Sequence, residues 1–285
     1  MKRILTAVLA TLMIAALAIP SAAAVQIGAN ADKIAVTVPG ISTEAPKLDG
    51  KIGKYEYQEI KYTADDIRYS AADVDALAKR NYKLYAAYSS EKMYVAVVVD
   101  TPDYVQTATE AGNLWQQHCL QICCAKGDET TATKRSEYGF SRNSKTNELM
   151  FNAWADEYKA AWTPDLTGKD FVCVTDNGVT TIEVAIPAKS FGIDSFKKGE
   201  KVRMNVLMNV GTDANNIAQI EWSTGCGSGK DVNKYAVVTL GDAIVVPKAP
   251  TGSGSAAQTP DNFSLAVAAL ALSAATAFVV IKRKH

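Results

Sequence analysis

The side chains best equipped for chemistry are few, and their spacing argues against catalysis. His118 is the only histidine before His285 at the end of the chain. It stands beside Cys119, but neighbours on a strand point to opposite faces, so the two do not make a nucleophile–base dyad. The chain has no G-x-S-x-G phrase, so serine-hydrolase chemistry has only His118 to lean on. The five cysteines, Cys119, Cys123, Cys124, Cys173 and Cys226, form no repeated C-x-x-C pair, and a zinc site is not expected. Five is odd, so at least one thiol stays unpaired in a monomer, and some fit the role of small buried hydrophobes. Thirty acidic residues would allow a carboxylate pair for glycoside hydrolysis, but no particular pair is marked. The expectation is a protein that is not an enzyme.

The aromatic residues carry more information. Four tryptophans, Trp115, Trp154, Trp162 and Trp222, stand among twelve tyrosines. A tryptophan offers a broad, electron-rich face with little rotamer entropy, which suits stacking on the flat C–H face of a sugar ring. Trp154 and Trp222 fall inside alternating segments and read as core. Trp115 follows Ala111-Gly112-Asn113-Leu114, in a loop just ahead of a strand, where binding residues concentrate. For Trp115 and for Trp162 the core and platform readings stand level.

The elements that must position these residues are mostly strands. Apolar and mixed positions alternate over residues 34–38, 82–88, 93–100, 117–125, 136–142, 148–155, 170–175, 179–186, 202–210, 218–222 and 235–240. Asn177-Gly178 is the strongest local turn signal and joins two of these runs as a hairpin. Residues 73–80 form the one helical stretch, and it is short. Many short strands with regular turns give an all-β fold class, an antiparallel β-sandwich of jelly-roll or immunoglobulin-like kind.

Both ends read as export and anchoring signals. Lys2 and Arg3 precede an apolar run over residues 4–19, then Pro20 and Ser21-Ala22-Ala23-Ala24, the pattern of a signal peptide over residues 1–24. Residues 25–44 form a lead-in, the sandwich spans 45–242, and the Pro-, Gly- and Ser-rich stretch 243–262 reads as a linker. Residues 263–281 are long enough and apolar enough for a transmembrane helix, followed by a basic tail, 282–285. This order places the sandwich on the extracellular face of the membrane with the C-terminus in the cytoplasm. It resembles a cell-wall sorting signal, although Pro260 stands where such signals carry glycine, so a plain membrane tether is the first expectation and cell-wall attachment the second. Thirty basic and thirty acidic residues balance, and no basic run lies outside the two ends, which excludes nucleic acid as a partner.

Several phrases then line up in order. They are Leu48-Asp49-Gly50, residues 92–100, Leu114-Trp115-Gln116-Gln117-His118, residues 182–192, residues 202–206, Ile220-Glu221-Trp222 and residues 234–240. Together they resemble the family 9 carbohydrate-binding modules within the wider DOMON-like sandwiches, over most of residues 45–241. The resemblance implies a two-sheet sandwich without catalysis, often with bound calcium, holding a polysaccharide or oligosaccharide end between two loop tryptophans. Trp115 matches the first tryptophan and His118 the aspartate of its Trp-x-x-Asp phrase. The second tryptophan falls at Gly229, so one wall is missing, with Trp162 or Tyr235 as substitutes. Asp49 is the calcium-ligand candidate, although a turn aspartate before glycine is the preferred reading of that phrase. The alternatives are a structural or protein-binding module that has lost the sugar site, a haem-binding DOMON relative using His118, and a glycoside hydrolase.

Overall fold

The computed structural model describes residues 24–41, 44–211, 217–227 and 229–247. The expected signal peptide (but for Ala24), transmembrane helix and basic tail lie outside the described residues, as does the linker from residue 248 onward. Among the described residues no helix is long and apolar enough to cross a membrane.

The described residues form fourteen strands. They are β1 (Ala24–Ile27), β2 (Ala35–Gly40), β3 (Gln58–Ile60), β4 (Ile67–Ala71), β5 (Tyr82–Tyr88), β6 (Lys92–Asp100) and β7 (Cys119–Lys126). They continue as β8 (Ser136–Arg142), β9 (Leu149–Asp156), β10 (Phe171–Asp176), β11 (Val179–Pro187), β12 (Lys201–Gly211), β13 (Ile217–Trp222) and β14 (Ala236–Ala243). Among the described residues one short α-helix, α1 (Val74–Ala78), is capped by Asp73, whose carboxylate accepts from Ala76 N at 2.9 Å. Asn177 and Gly178 both take positive φ, +48° and +77°, which is the backbone the tight β10–β11 hairpin requires.

The strands make two layers. One runs β9-β8-β7-β12-β13-β4-β1 and the other β14-β2-β5-β6-β11-β10, with β3 on β5. β12 joins them, because residues 201–204 pair with β14 while residues 206–211 pair with β13. Pairing is antiparallel except at β2, which is parallel to both β14 and β5, so the expected all-antiparallel sandwich has one inserted parallel strand. Every second residue of each layer meets in one core: Met93, Val95, Val97 and Val99 from β6 face Val202, Met204, Val206 and Met208 from β12. Each such fully buried side chain contributes about 1.5–3 kcal/mol.

The sequence reading missed β4. Arg68 interrupts its apolar pattern, yet Ile67, Tyr69 and Ala71 face the core while Arg68 pairs across the sheet with Glu221. The fold also extends past the expected linker start at residue 243: Ala243 ends β14, and Ile244 N donates to Gly40 O at 2.8 Å. All five cysteines are buried thiols, as small apolar residues would be.

Candidate functional site

The outward faces of β4, β13, β12, β7 and β8 are unusually polar for a sheet interior. Register brings Arg68, Gln219, Glu221, Asn205, Asn209, Gln121 and Glu137 onto one face, opposite the apolar core. These groups are bonded to one another. Arg68 Nη1 donates to Glu221 Oε2 at 3.1 Å and to Gln219 Oε1 at 3.0 Å, and Gln219 Nε2 donates to Asn209 Oδ1 at 3.1 Å. Asn205 Nδ2 donates to Glu221 Oε1 at 2.8 Å and to Thr224 O at 2.7 Å. A buried ion pair needs its remaining polar atoms bonded, and the network bonds both Glu221 oxygens, whereas Arg68 Nε, Asn205 Oδ1 and Asn209 Nδ2 are buried without a hydrogen-bond partner among the described residues.

Over part of this floor lies a pocket of about 360 Å³, lined by Trp115, Trp154, Gln121, Arg135, Glu137, Gln219, Gly227 and Lys230. That size lies at the small end of ligand pockets. Glu137 is held from both sides: Arg135 Nε donates to Oε2 at 2.9 Å, and Lys230 Nζ donates to Oε1.

Trp115 sits on the 3-10 turn Ala111–Gln116 and is 40% exposed. The turn is pinned from below. Leu114 is buried, and the buried Gln106 side chain donates to Leu114 O at 3.1 Å and to His118 O at 3.0 Å. With Leu114 inward, Trp115 is left facing out.

Trp154 reaches the same pocket by another route. The β8–β9 register slips between Glu137 and Tyr138, which pair with Ala155 and Ala153, leaving Trp154 as the unmatched residue of a β-bulge. Its indole lies over Gly139 on β8, where an added Cβ would fall 2.3 Å from the indole Cη2. Gly139 therefore makes room for the ring. Trp154 Nε1 donates to Gly112 O at 3.0 Å, tying the bulge to the turn that carries Trp115.

The remaining sequence candidates go elsewhere. Trp162 is half-buried against the core, edge-on to Tyr138 with centroids 5.0 Å apart and 5.7 Å from Phe151, so it closes the sandwich end rather than walling the pocket. Tyr235 is buried in a small cluster with Cys123, Leu207, Cys226 and Val232, and has no face to offer a ligand. His118 is buried beneath the Trp115 turn, with Nδ1 3.1 Å from both Val105 N and Val105 O and its ring packed on Tyr104. Burial lowers its pKa, and it braces the 103–106 segment rather than contacting the pocket. Trp222 is core, as expected from its strand; Trp154, expected there for the same reason, is not.

Asp49 lies far from this pocket in the fold. Its Oδ1 accepts from Lys51 N at 3.0 Å, and the Asp49 and Gly50 amides donate to Glu183 Oε2 at 3.2 and 2.6 Å. With Gly50 at φ +82°, this is the turn reading of the Leu-Asp-Gly phrase. Among the described residues, the one cluster of three side chains with metal-ligand potential does not include Asp49.

Gly229, where the resemblance had placed the missing wall, is open: an added Cβ meets nothing within 4 Å. Its loop does border the pocket, through Gly227 and Lys230. Trp154, which sequence reasoning assigned to the core, and Gly139, which it passed over, thus complete the site. The only local signal for them was a glycine inside an alternating strand.

No family model matches the chain, and no curated protein matches it. Among solved structures, a family 9 carbohydrate-binding module from Caldicellulosiruptor kristjanssonii in complex with cellotriose is similar, with a TM-score of 0.50 and 15% identity, over 76% of this chain and 99% of that one. The same organism's family 9 module in complex with glucose matches at TM-score 0.48 and 14% identity, covering 73% and 98% of the two chains. A structure described as a putative carbohydrate-binding protein from Bacteroides uniformis matches at 0.46 and 12%, covering 73% and 99%. At this identity the first likeness speaks for the fold alone: the chain shares the β-sandwich of that module.

Proposed function

We propose that this protein is a non-catalytic carbohydrate-binding module, displayed outside the cell on a C-terminal membrane anchor, that holds a sugar unit in the Trp115–Trp154 pocket. The observation that carries this reading is the meeting of two tryptophans from separate elements over a polar floor. Aromatic faces suit the apolar C–H faces of a sugar, and Gln121, Gln219, Arg135 and Glu137 offer donors and acceptors to its hydroxyls. The two walls also answer the objection raised by Gly229, because Trp154 stands in for the tryptophan missing there. The cellotriose named with the first similar module makes β-linked glucans the first ligands to try.

Binding is favoured over hydrolysis because glycoside cleavage needs two free carboxyl groups. Glu137 is the one carboxylate lining the pocket, and Arg135 and Lys230 already hold both of its oxygens. The test is calorimetric titration of the protein with soluble oligosaccharides and wall polysaccharides, alongside Trp115→Ala. Saturable binding that the substitution weakens supports the module. A flat response across the panel, or a Trp115→Ala variant binding as well as wild type, rejects it. Surface display is tested separately, by protease shaving of intact cells followed by detection of the anchor fragment.

A further inference from the structure

Beneath the pocket rim, Cys123 of β7 and Cys226 of the 223–231 loop meet. Their Sγ atoms and a Glu137 carboxylate oxygen all lie within 4.8 Å of one another, and all three residues are buried. The chain brings these thiols together across 103 residues of sequence, through β7 pairing with β12 at Asn205 and Asn205 bonding the loop at Thr224 O. The loop is fixed further by Glu221 Oε1, which accepts from Cys226 N at 2.8 Å and Gly227 N at 3.1 Å.

We propose that Cys123 and Cys226 form a disulfide when the protein matures in an oxidising environment, and that this bond pins the pocket's rim loop to its floor. The alternative use of the cluster, a metal site, is disfavoured by charge. Glu137 already carries Arg135 on one oxygen and Lys230 on the other, so a divalent ion would have to displace a cation and find a fourth ligand. A disulfide needs no charge and uses only the two sulfurs.

The step is a thiol–disulfide exchange with a low-molecular-weight disulfide or a disulfide carrier. One cysteine thiolate attacks the carrier's S–S bond and releases one thiol. The second cysteine then attacks the mixed disulfide and releases the other. Two S–H bonds are lost, one S–S bond forms, and both electrons and both protons pass to the carrier, which leaves as two thiols. In the seated loop both thiols are buried, out of reach of a carrier, and the hydrogen bond to Cys123 and then burial hold the Cys226 thiol well above its ordinary range. Exchange therefore belongs to folding, before the loop seats. Cys119, Cys124 and Cys173 remain thiols in this account, which fits the odd number of cysteines.

The test needs no glycan, so its outcome is independent of the carbohydrate reading. The full-length chain is folded in a buffer of oxidised and reduced glutathione, denatured, alkylated without reductant, digested and mapped by mass spectrometry, with bound zinc measured on the same sample. The expected result is one peptide pair linking Cys123 to Cys226, split by reductant, with the other three cysteines alkylated. Reduction should lower Tm by roughly 5–10 °C, as loss of a bond closing so long a loop implies. Cys226→Ser should abolish the link and leave Cys123 alkylated. Complete alkylation of all five cysteines in the wild type, a link between any other pair, or stoichiometric zinc with both thiols masked would overturn the proposal.

Discussion

β8 and β9 carry aromatic side chains on both of their faces, and the two collections behave differently. On the inner face, Tyr138, Phe140 and Phe151 gather with Trp162 and Phe171 into a continuous cluster, with neighbouring centroids 5.0–6.4 Å apart. On the outer face, Trp154 lies over the bare backbone of Gly139 and shares a pocket with Trp115. Residue type does not separate them. What differs is whether the other side of the ring is covered: the second layer of the sandwich covers the inner rings, and nothing of the described protein fills the pocket between the outer ones. An aromatic ring with one face supported and the other open is a platform; one with both faces packed is a structural element.

Four substitutions or conditions would break or sharpen that contrast. The largest effect is expected at Trp162→Ala, which removes a ring from the inner cluster and should cost about 3 kcal/mol of stability in denaturant unfolding. The affinity of the molecules that remain folded should stay within about twofold of wild type. Trp154→Ala should do the reverse, lowering glycan affinity by roughly 10- to 100-fold in calorimetry through lost stacking area, with a small change in Tm. Gly139→Ala is subtler, because the indole stays but its seat is taken. A Cβ 2.3 Å from Cη2 must tilt the ring, so affinity should fall by roughly 5- to 10-fold. If this variant bound as well as wild type, Trp154 would not act through its position on β8.

The last prediction concerns stability at a site away from the platform, where no change in glycan affinity is expected, and serves as its control. Burial pushes the Glu183 carboxyl up to about 7, against hydrogen bonds from Tyr57 Oη and the Asp49 and Gly50 amides that favour the charged form. A carboxyl whose pKa is raised on folding binds its proton more tightly in the native state. Its contribution is therefore fully present below its unfolded pKa and lost as pH rises through the folded value. Chemical denaturation should show stability declining between about pH 4.5 and 7.5, by on the order of 1–2 kcal/mol, and Glu183→Gln should flatten that decline. Glycan affinity of the wild type should not follow the same curve.

Much of the inner face was legible in the sequence, while the outer face was not. Alternation marks β5, β6, β11 and β12, since their core residues recur every second position, and Asn177-Gly178 marks its hairpin. Trp115 could be suspected because a loop tryptophan has no strand partner to bury it. Trp154 could not, since a bulge is a property of the pairing between β8 and β9, and alternation within one strand does not show which residue goes unmatched. Trp162 and Tyr235 stand in the sequence as substitutes for the missing wall because their cover is a matter of packing: Trp162 lies against Tyr138, Phe140 and Phe151, and Tyr235 against Cys123, Leu207 and Cys226. β4 escaped because Arg68 looks like a surface residue until Glu221, 153 positions away, arrives to pair with it.

The most direct test of the account is to follow the four tryptophan indole N–H signals by heteronuclear NMR while a soluble β-glucan oligosaccharide is added. The signals of Trp115 and Trp154, assigned by substitution, should shift together and saturate, while those of Trp162 and Trp222 stay fixed. Indole signals that all remain in place at millimolar glycan, or shifts confined to Trp162 and Trp222, would contradict it.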